Sequence, residues 1–277
     1  MSPAEFPRRM VCLTEETTET LYLLGEEARI VGVSGFTARP PEARQKPKVS
    51  AFTTAKFDRI LELAPDLVIG FSNLQAEIAR ELIARGVNVL VFNQRSVDEI
   101  LQTILALARL VGAEARGQAL VERLNRGLAA IAESARRFPR RPRVFFEEWN
   151  DPLISGIRWV DELIETAGGV PVFPELRQRH DARDRIVDPA AVRERAPDVV
   201  IASWCGRKVN KREIRNRTGW ADIQHVYEIK STYILQPGPA ALTEGVRQLH
   251  AILAQVAGGA MAAELRPEER TDPELRP

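Results

Sequence analysis

The chain has 277 residues, of which 44% are hydrophobic and 28% charged. That is a globular composition and excludes a chain too polar to build a core. With 39 basic and 38 acidic residues the formal net charge is +1, which argues against a nucleic-acid binder built on bulk positive field and leaves room only for a local patch.

No apolar run is long enough to span a bilayer. Two cysteines, Cys12 and Cys205, are too few for a disulfide framework or a four-thiolate metal site. Residues 1–9 are short and polar, without the apolar stretch of a secretory leader. As written the chain reads as cytoplasmic; preceded by an export signal it would be periplasmic.

Residues 9–13 (RMVCL) predict a buried strand, 17–24 a helix stopped by Gly25, and 30–34 (IVGVS) a second strand. A Pro-rich loop follows over 35–48. Residues 57–63 predict a helix ending before Pro65, 66–71 (DLVIGF) a strand, 76–85 a helix closed by Gly86, and 87–92 (VNVLVF) another strand. This alternation is the rhythm of a parallel sheet covered by helices.

The pattern then changes. Residues 96–138 hold no strand-like run and no proline, and apolar side chains recur at helical spacing: Ile100, Ile104, Leu107, Val111, then Leu120, Leu124, Leu128 and Ile131. Ser96 and Glu99 have the spacing of a capping box. The segment predicts one long connecting helix, or two broken near Gly112. Residues 143–148 (RVFFEE) open a second lobe. It continues with a helix over 159–167, strands at 199–203 and 226–229, and a last helix over 240–256. The expected organisation is a first α/β lobe over 1–95, the connecting helix over 96–138, a second α/β lobe over 139–258 and a disordered tail over 259–277.

The halves echo each other: Ala64-Pro65-Asp66-Leu67-Val68-Ile69 recurs as Ala196-Pro197-Asp198-Val199-Val200-Ile201. A duplication half the chain long predicts two similar α/β lobes. Ligands of open α/β sheets bind outside the carboxyl ends of the strands, so two lobes would share a cleft. No phosphate-cradling loop, nucleophile elbow or zinc-binding histidine pair is present, and no enzyme is expected.

The pieces RMVCLTEETTETLYLLG, IVGVSGFTARPPEA, PDLVIGF, NDPLISG, ETAGG and PDVVIAS, in this order and spacing, resemble the helix-linked (class III) substrate-binding proteins of ABC importers, and among them the cobalamin binders. The resemblance covers roughly residues 9–256. It implies two Rossmann-like lobes joined by a long rigid helix with the ligand cleft between them. It also implies a non-enzymatic role with no required cofactor, a corrinoid such as cobalamin as bound ligand, and an ABC permease dimer as partner. Haem or a ferric siderophore is the alternative ligand; Arg39 and Arg158 are the cations such a chelate would need. An intracellular sensor or enzyme on this fold is the alternative from another class.

Site expectations follow. Phe36 follows the strand over 30–34, Phe52 follows the Pro-rich loop and Phe71 ends the strand over 66–71, where the resemblance puts aromatics and a flat macrocycle needs ring faces; core or loop packing is the competing reading for each. Trp149, Trp204, Tyr233 and Gln236 are the second-lobe candidates, with Pro237-Gly238-Pro239 shaping the last loop. Trp159 reads as a core residue. Asn73, Thr17 and Glu148 could hydrogen-bond corrin amides. Glu15 and Glu16 read first as acids at a helix start, favoured by the macrodipole. His180 is a remote candidate for an axial ligand and otherwise a solvated loop residue; His225 and His250 read as packing or surface. Cys12 reads as core, Cys205 as closer to the cleft. For permease docking the resemblance places an acid at Asp58. The second docking position falls on Ala190, which has no charge, with Asp188 two residues away, and this weakens the docking expectation.

Overall fold

A computed structural model of the chain describes residues 7–261 and 263–268. It divides into two compact units, the first running to Gln94 and including Asp98–Arg123, the second taking Arg95–Val97 and the chain from Leu124.

The first unit contains β1 (Met10–Cys12), α1 (Glu15–Leu23), β2 (Ile30–Ser34), β3 (Lys48–Ala51), β4 (Thr54–Ala55), α2 (Phe57–Glu62), β5 (Leu67–Phe71), α3 (Ala76–Ala84) and β6 (Val89–Phe92). Its sheet has the order β4-β3-β2-β1-β5-β6, parallel except where β4 turns back on β3. β5 is buried at every residue, as a central parallel strand covered on both faces must be. Val11, Leu13, Val49, Ile60, Val68 and Leu82 form the core.

Residues 96–138 are not one helix but two, α4 (Val97–Leu110) and α5 (Glu114–Ala135). Gly112 breaks them: its φ of 71° is the left-handed conformation that ends helices and that glycine adopts without steric cost. α4 and the first part of α5 belong to the first unit. Ile100, Ile104 and Leu107 are buried, and the Arg116 guanidinium donates to Glu26.

The second unit contains β7 (Arg143–Asn150), β8 (Leu153–Ser155), α6 (Arg158–Thr166), β9 (Val170–Pro171), α7 (Pro189–Glu194), β10 (Val199–Ala202), α8 (Lys211–Arg215), β11 (His225–Glu228), α9 (Ser231–Ile234) and α10 (Val246–Ala257). Its sheet has the order β11-β10-β7-β8, with β9 also on β7; only β8 is antiparallel. Trp159 is buried and donates to the Ile234 carbonyl. The tail expectation over 259–277 is corrected in part. Residues 263–265 form a short helical turn, Leu265 is buried, and the Glu268 amide donates to Glu244; residues 269–277 lie outside the described residues.

Each unit uses the duplicated motif in the same way. Asp66 accepts from the backbone amides of Arg8 and Arg9 at the start of β1, and Asp198 from that of Arg143 at the start of β7. In return the Arg9 guanidinium reaches the Leu63 and Ala64 carbonyls at the end of α2, and that of Arg143 reaches the Arg195 carbonyl at the end of α7. These contacts occupy carbonyls that a helix end leaves without partners.

Candidate functional site

The candidate residues of the first unit are carried by segments leaving the carboxyl ends of its strands. After β1, Glu15 and Glu16 begin α1, as expected, but both are buried. The Ala38 amide donates to Glu15, Thr14 donates to Glu16, and the second Glu16 oxygen has no partner among the described residues. Burial, reinforced by the neighbouring carboxylate, pushes Glu15 up to about 8. Burial pushes Glu16 to about 7 against the hydrogen bond from Thr14. A helix start favours the ionised form, and here desolvation outweighs it. Thr17 is buried too.

Phe36 follows β2 and is 46% exposed, a large ring facing water. Phe52, between β3 and β4, is half-buried, and Asn73 is exposed. Phe71, at only 6% exposure, does not offer its ring and is a core residue here. Gln75, which the sequence reading missed, fixes this rim. It is buried, its Nε2 donates to the Phe52 carbonyl at 2.7 Å, and its Oε1 accepts from the Phe71 amide at 2.9 Å. An open groove of about 520 Å³ runs along α3 and the edge strand β6, lined by Ile83, Val91, Asn73 and Asn93 among others.

In the second unit β7 runs on past the sequence expectation to Asn150, so Glu147 and Glu148 lie within it and alternate as a strand requires. Glu147 is 0% exposed and is clasped by both terminal nitrogens of Arg217 and by Trp204 Nε1 at 3.1 Å. Burial raises its carboxyl despite Arg217. Trp204 is therefore core: it is 2% exposed, packs with Phe145 and Trp220 in one cluster, and spends its only donor on Glu147. Glu148 is half-buried and held by both terminal nitrogens of Arg185, whose side chain is 1% exposed. Trp149 is half-buried, its Nε1 donating to the Asp151 carbonyl. Close by, Asp161 and Ser155 line a cavity with free volume of about 10 Å³, the size of one water. Ser155 Oγ has no partner among the described residues, and burial pushes Asp161 up to about 8.

Tyr233 is buried and Gln236 half-buried in the turn that Pro237-Gly238-Pro239 closes. Asp58 is exposed, with Arg85 3.9 Å away. Ala190 is exposed, and Asp188 spends its carboxylate capping the Ala190 amide at 2.7 Å. His180 is exposed. His250 is buried between Ser134 and the Ala167 carbonyl, its proton affinity lowered by burial. Arg39 pairs with Glu19 and Arg158 with Glu162. Cys12 is buried, its thiol pushed up to about 12 by desolvation, and Cys205 is exposed. Among the described residues no cluster of three or more His, Cys, Asp or Glu is placed to hold a metal ion, and no helix is long and apolar enough to cross a membrane.

The pattern that defines the periplasmic binding protein family matches residues 10–233, from the first strand through the last short helix of the second unit. The chain belongs to this family. This periplasmic binding protein is thus a binding component and not an enzyme. It is similar to YvrC, an uncharacterised ABC transporter substrate-binding lipoprotein of Bacillus subtilis, with 25% identity over 88% of this chain and 79% of that one. It is similar to the vitamin B12-binding protein of Vibrio parahaemolyticus, with 25% identity over 84% of this chain and 85% of that one. Its fold is that of RhuT, a periplasmic heme-binding protein from Roseiflexus. The TM-score is 0.78, with 24% identity over 91% of this chain and 99% of that chain.

Proposed function

We propose that this periplasmic binding protein is the ligand-binding component of an ABC importer and that its ligand is a corrinoid, cobalamin in particular. The observation that carries the reading is its similarity to a vitamin B12-binding protein along 84% of its length. The exposed Phe36 ring is consistent with it, because a broad apolar face suits a flat macrocycle and is otherwise costly to leave in water. The proposed contacts are Phe36, Phe52 and Asn73 in the first unit and Glu148, Trp149 and Gln236 in the second. Buried Phe71, Trp204 and Tyr233 support the loops rather than touching ligand. Asp58 is the proposed permease contact; the Ala190 side offers no equivalent acid. No cofactor is required.

Calorimetric titration with cyanocobalamin, run beside haemin and a ferric siderophore, tests the ligand. Saturable heat with cyanocobalamin is expected, and Phe36→Ala should weaken it about tenfold. Heat with haemin or the ferric chelate alone would replace the corrinoid reading.

A further inference from the structure

Residues 205–217 (CGRKVNKREIRNR) concentrate charge that the rest of the chain balances. Six basic side chains and one acid leave this segment at +5, against +1 for the entire chain. The segment leaves the carboxyl end of β10 as a strap held to the neighbouring strand ends. Val209 and Ile214 are buried in the second unit's core. The Val209 amide donates to Glu228, the last residue of β11, at 3.2 Å. Asn150, the last residue of β7, donates to Glu213, and Arg217 clasps Glu147 within β7. The strap is therefore anchored to the ends of three parallel strands, the edge at which open α/β sheets take ligands.

Most of its cations are already committed. Arg217 is spent on Glu147; Arg207 on Glu213, 3.1 Å away, and on the Trp204 ring, 5.0 Å away; Arg215 on the Gln224 carbonyl. Lys211 lies 5.9 Å from the centre of the Tyr227 ring. Lys208 and Arg212 are exposed and have no side-chain partner among the described residues. Like charges held on one short strap raise one another's energy, and an anion placed among them relieves it.

We propose that this strap is an anion-binding subsite on the rim of the second unit, in which Lys208 and Arg212 take a carboxylate or phosphate group of the bound molecule. The proposal rests on the macrocycle reading above and narrows it to molecules that carry such a group. In a corrinoid this is the phosphodiester of the nucleotide loop; in a haem it is the propionates.

The test compares matched probes: cyanocobalamin against dicyanocobinamide, which lacks the phosphodiester, and haemin against its dimethyl ester. Each is titrated at low and high salt into the wild type and into variants carrying Lys208→Gln with Arg212→Gln, or Lys208→Glu with Arg212→Glu. Both substituted side chains are exposed, so the fold should survive. The expected result is about tenfold tighter binding of the anionic member of a pair, lost in the variants and reduced by salt. Equal binding of both members, or a preference that persists in the variants, would overturn the subsite. If no macrocycle binds the wild type, the function reading fails and the subsite is judged separately with inorganic pyrophosphate. Amide resonance shifts confined to residues 205–217 and absent from the Gln variant uphold it; uniform shifts, or none, overturn it.

Discussion

Ala64 and Ala196 occupy the same place in their two units, and both have a left-handed backbone, with φ of 44° and 45°. Each follows a short helix and precedes a proline, which disfavours the right-handed helical region for the residue before it. A side chain at such φ costs about 1 kcal/mol or more. Glycine would remove that cost while adding about 0.5–1 kcal/mol of chain entropy to the unfolded state. Ala64→Gly and Ala196→Gly should therefore be neutral or stabilise by up to about 1 kcal/mol, where Ala→Gly inside a helix costs about that much. Urea midpoints check this, and a loss of about 1 kcal/mol at both sites would contradict it. The recurrence of Ala-Pro-Asp was legible in the letters. That its aspartate would cap the first strand of each unit was not, because Asp66 and Arg9 are 57 residues apart and meet only when two strands pair. Separations of 70 and 37 residues likewise hid the partners of Glu147 and Glu148: Arg217 and Arg185 come from loops whose composition reads as solvated.

Helical periodicity announced the helical segment over 96–138, and Gly112 announced the break; whether one helix or two would form depended on packing. Gly117, early in α5, is a contact point. A Cβ there would come within 2.3 Å of Ala108 Cβ, so its bare backbone lets α5 lie against α4. Gly117→Ala should destabilise the protein by about 1–3 kcal/mol through overpacking, although alanine favours a helix interior by about 1 kcal/mol. A thermal melt separates the two effects by sign, and an unchanged or raised Tm would mean the helices can part without cost. Short strands were the elements least legible in the sequence. β3 and β4 fall at the end of a Pro-rich stretch, in runs too short for alternation to register, and exist because β2 and β3 supply their partners.

For the molecule as a whole, three buried carboxyls set a common pH dependence. Glu15, Glu16 and Asp161 are held at about 8, about 7 and about 8, each well above the ordinary carboxylate range, chiefly by burial. Each binds its proton more tightly folded than unfolded. Their stabilisation is complete below the ordinary values of 4.5, 4.5 and 3.8 and is lost as pH rises toward 8. The slope is about 1.4 kcal/mol per pH unit for each group while only the folded form is protonated. Tm should fall between about pH 5 and about pH 8. Glu16→Gln and Asp161→Asn, which keep the sites neutral, should flatten that fall; an unchanged slope in both variants would show that these carboxyls are ionised in the folded protein.

The sequence by itself determined what depends on local order. Alternating strand and helix periods, a duplicated motif and a strand-free middle specify two α/β units, because each of these signals can be read in a short window of the chain without knowing what packs against it. Tertiary structure alone decided which side chains face water. Phe36 stays exposed while Phe71, Trp204 and Tyr233 are enclosed, since burial depends on which distant elements close over a ring and not on its neighbours in the chain. The same packing made two glutamates at a helix start favour their neutral form and left Lys208 and Arg212 without a side-chain partner among the described residues, because desolvation and pairing are properties of the space around a charge.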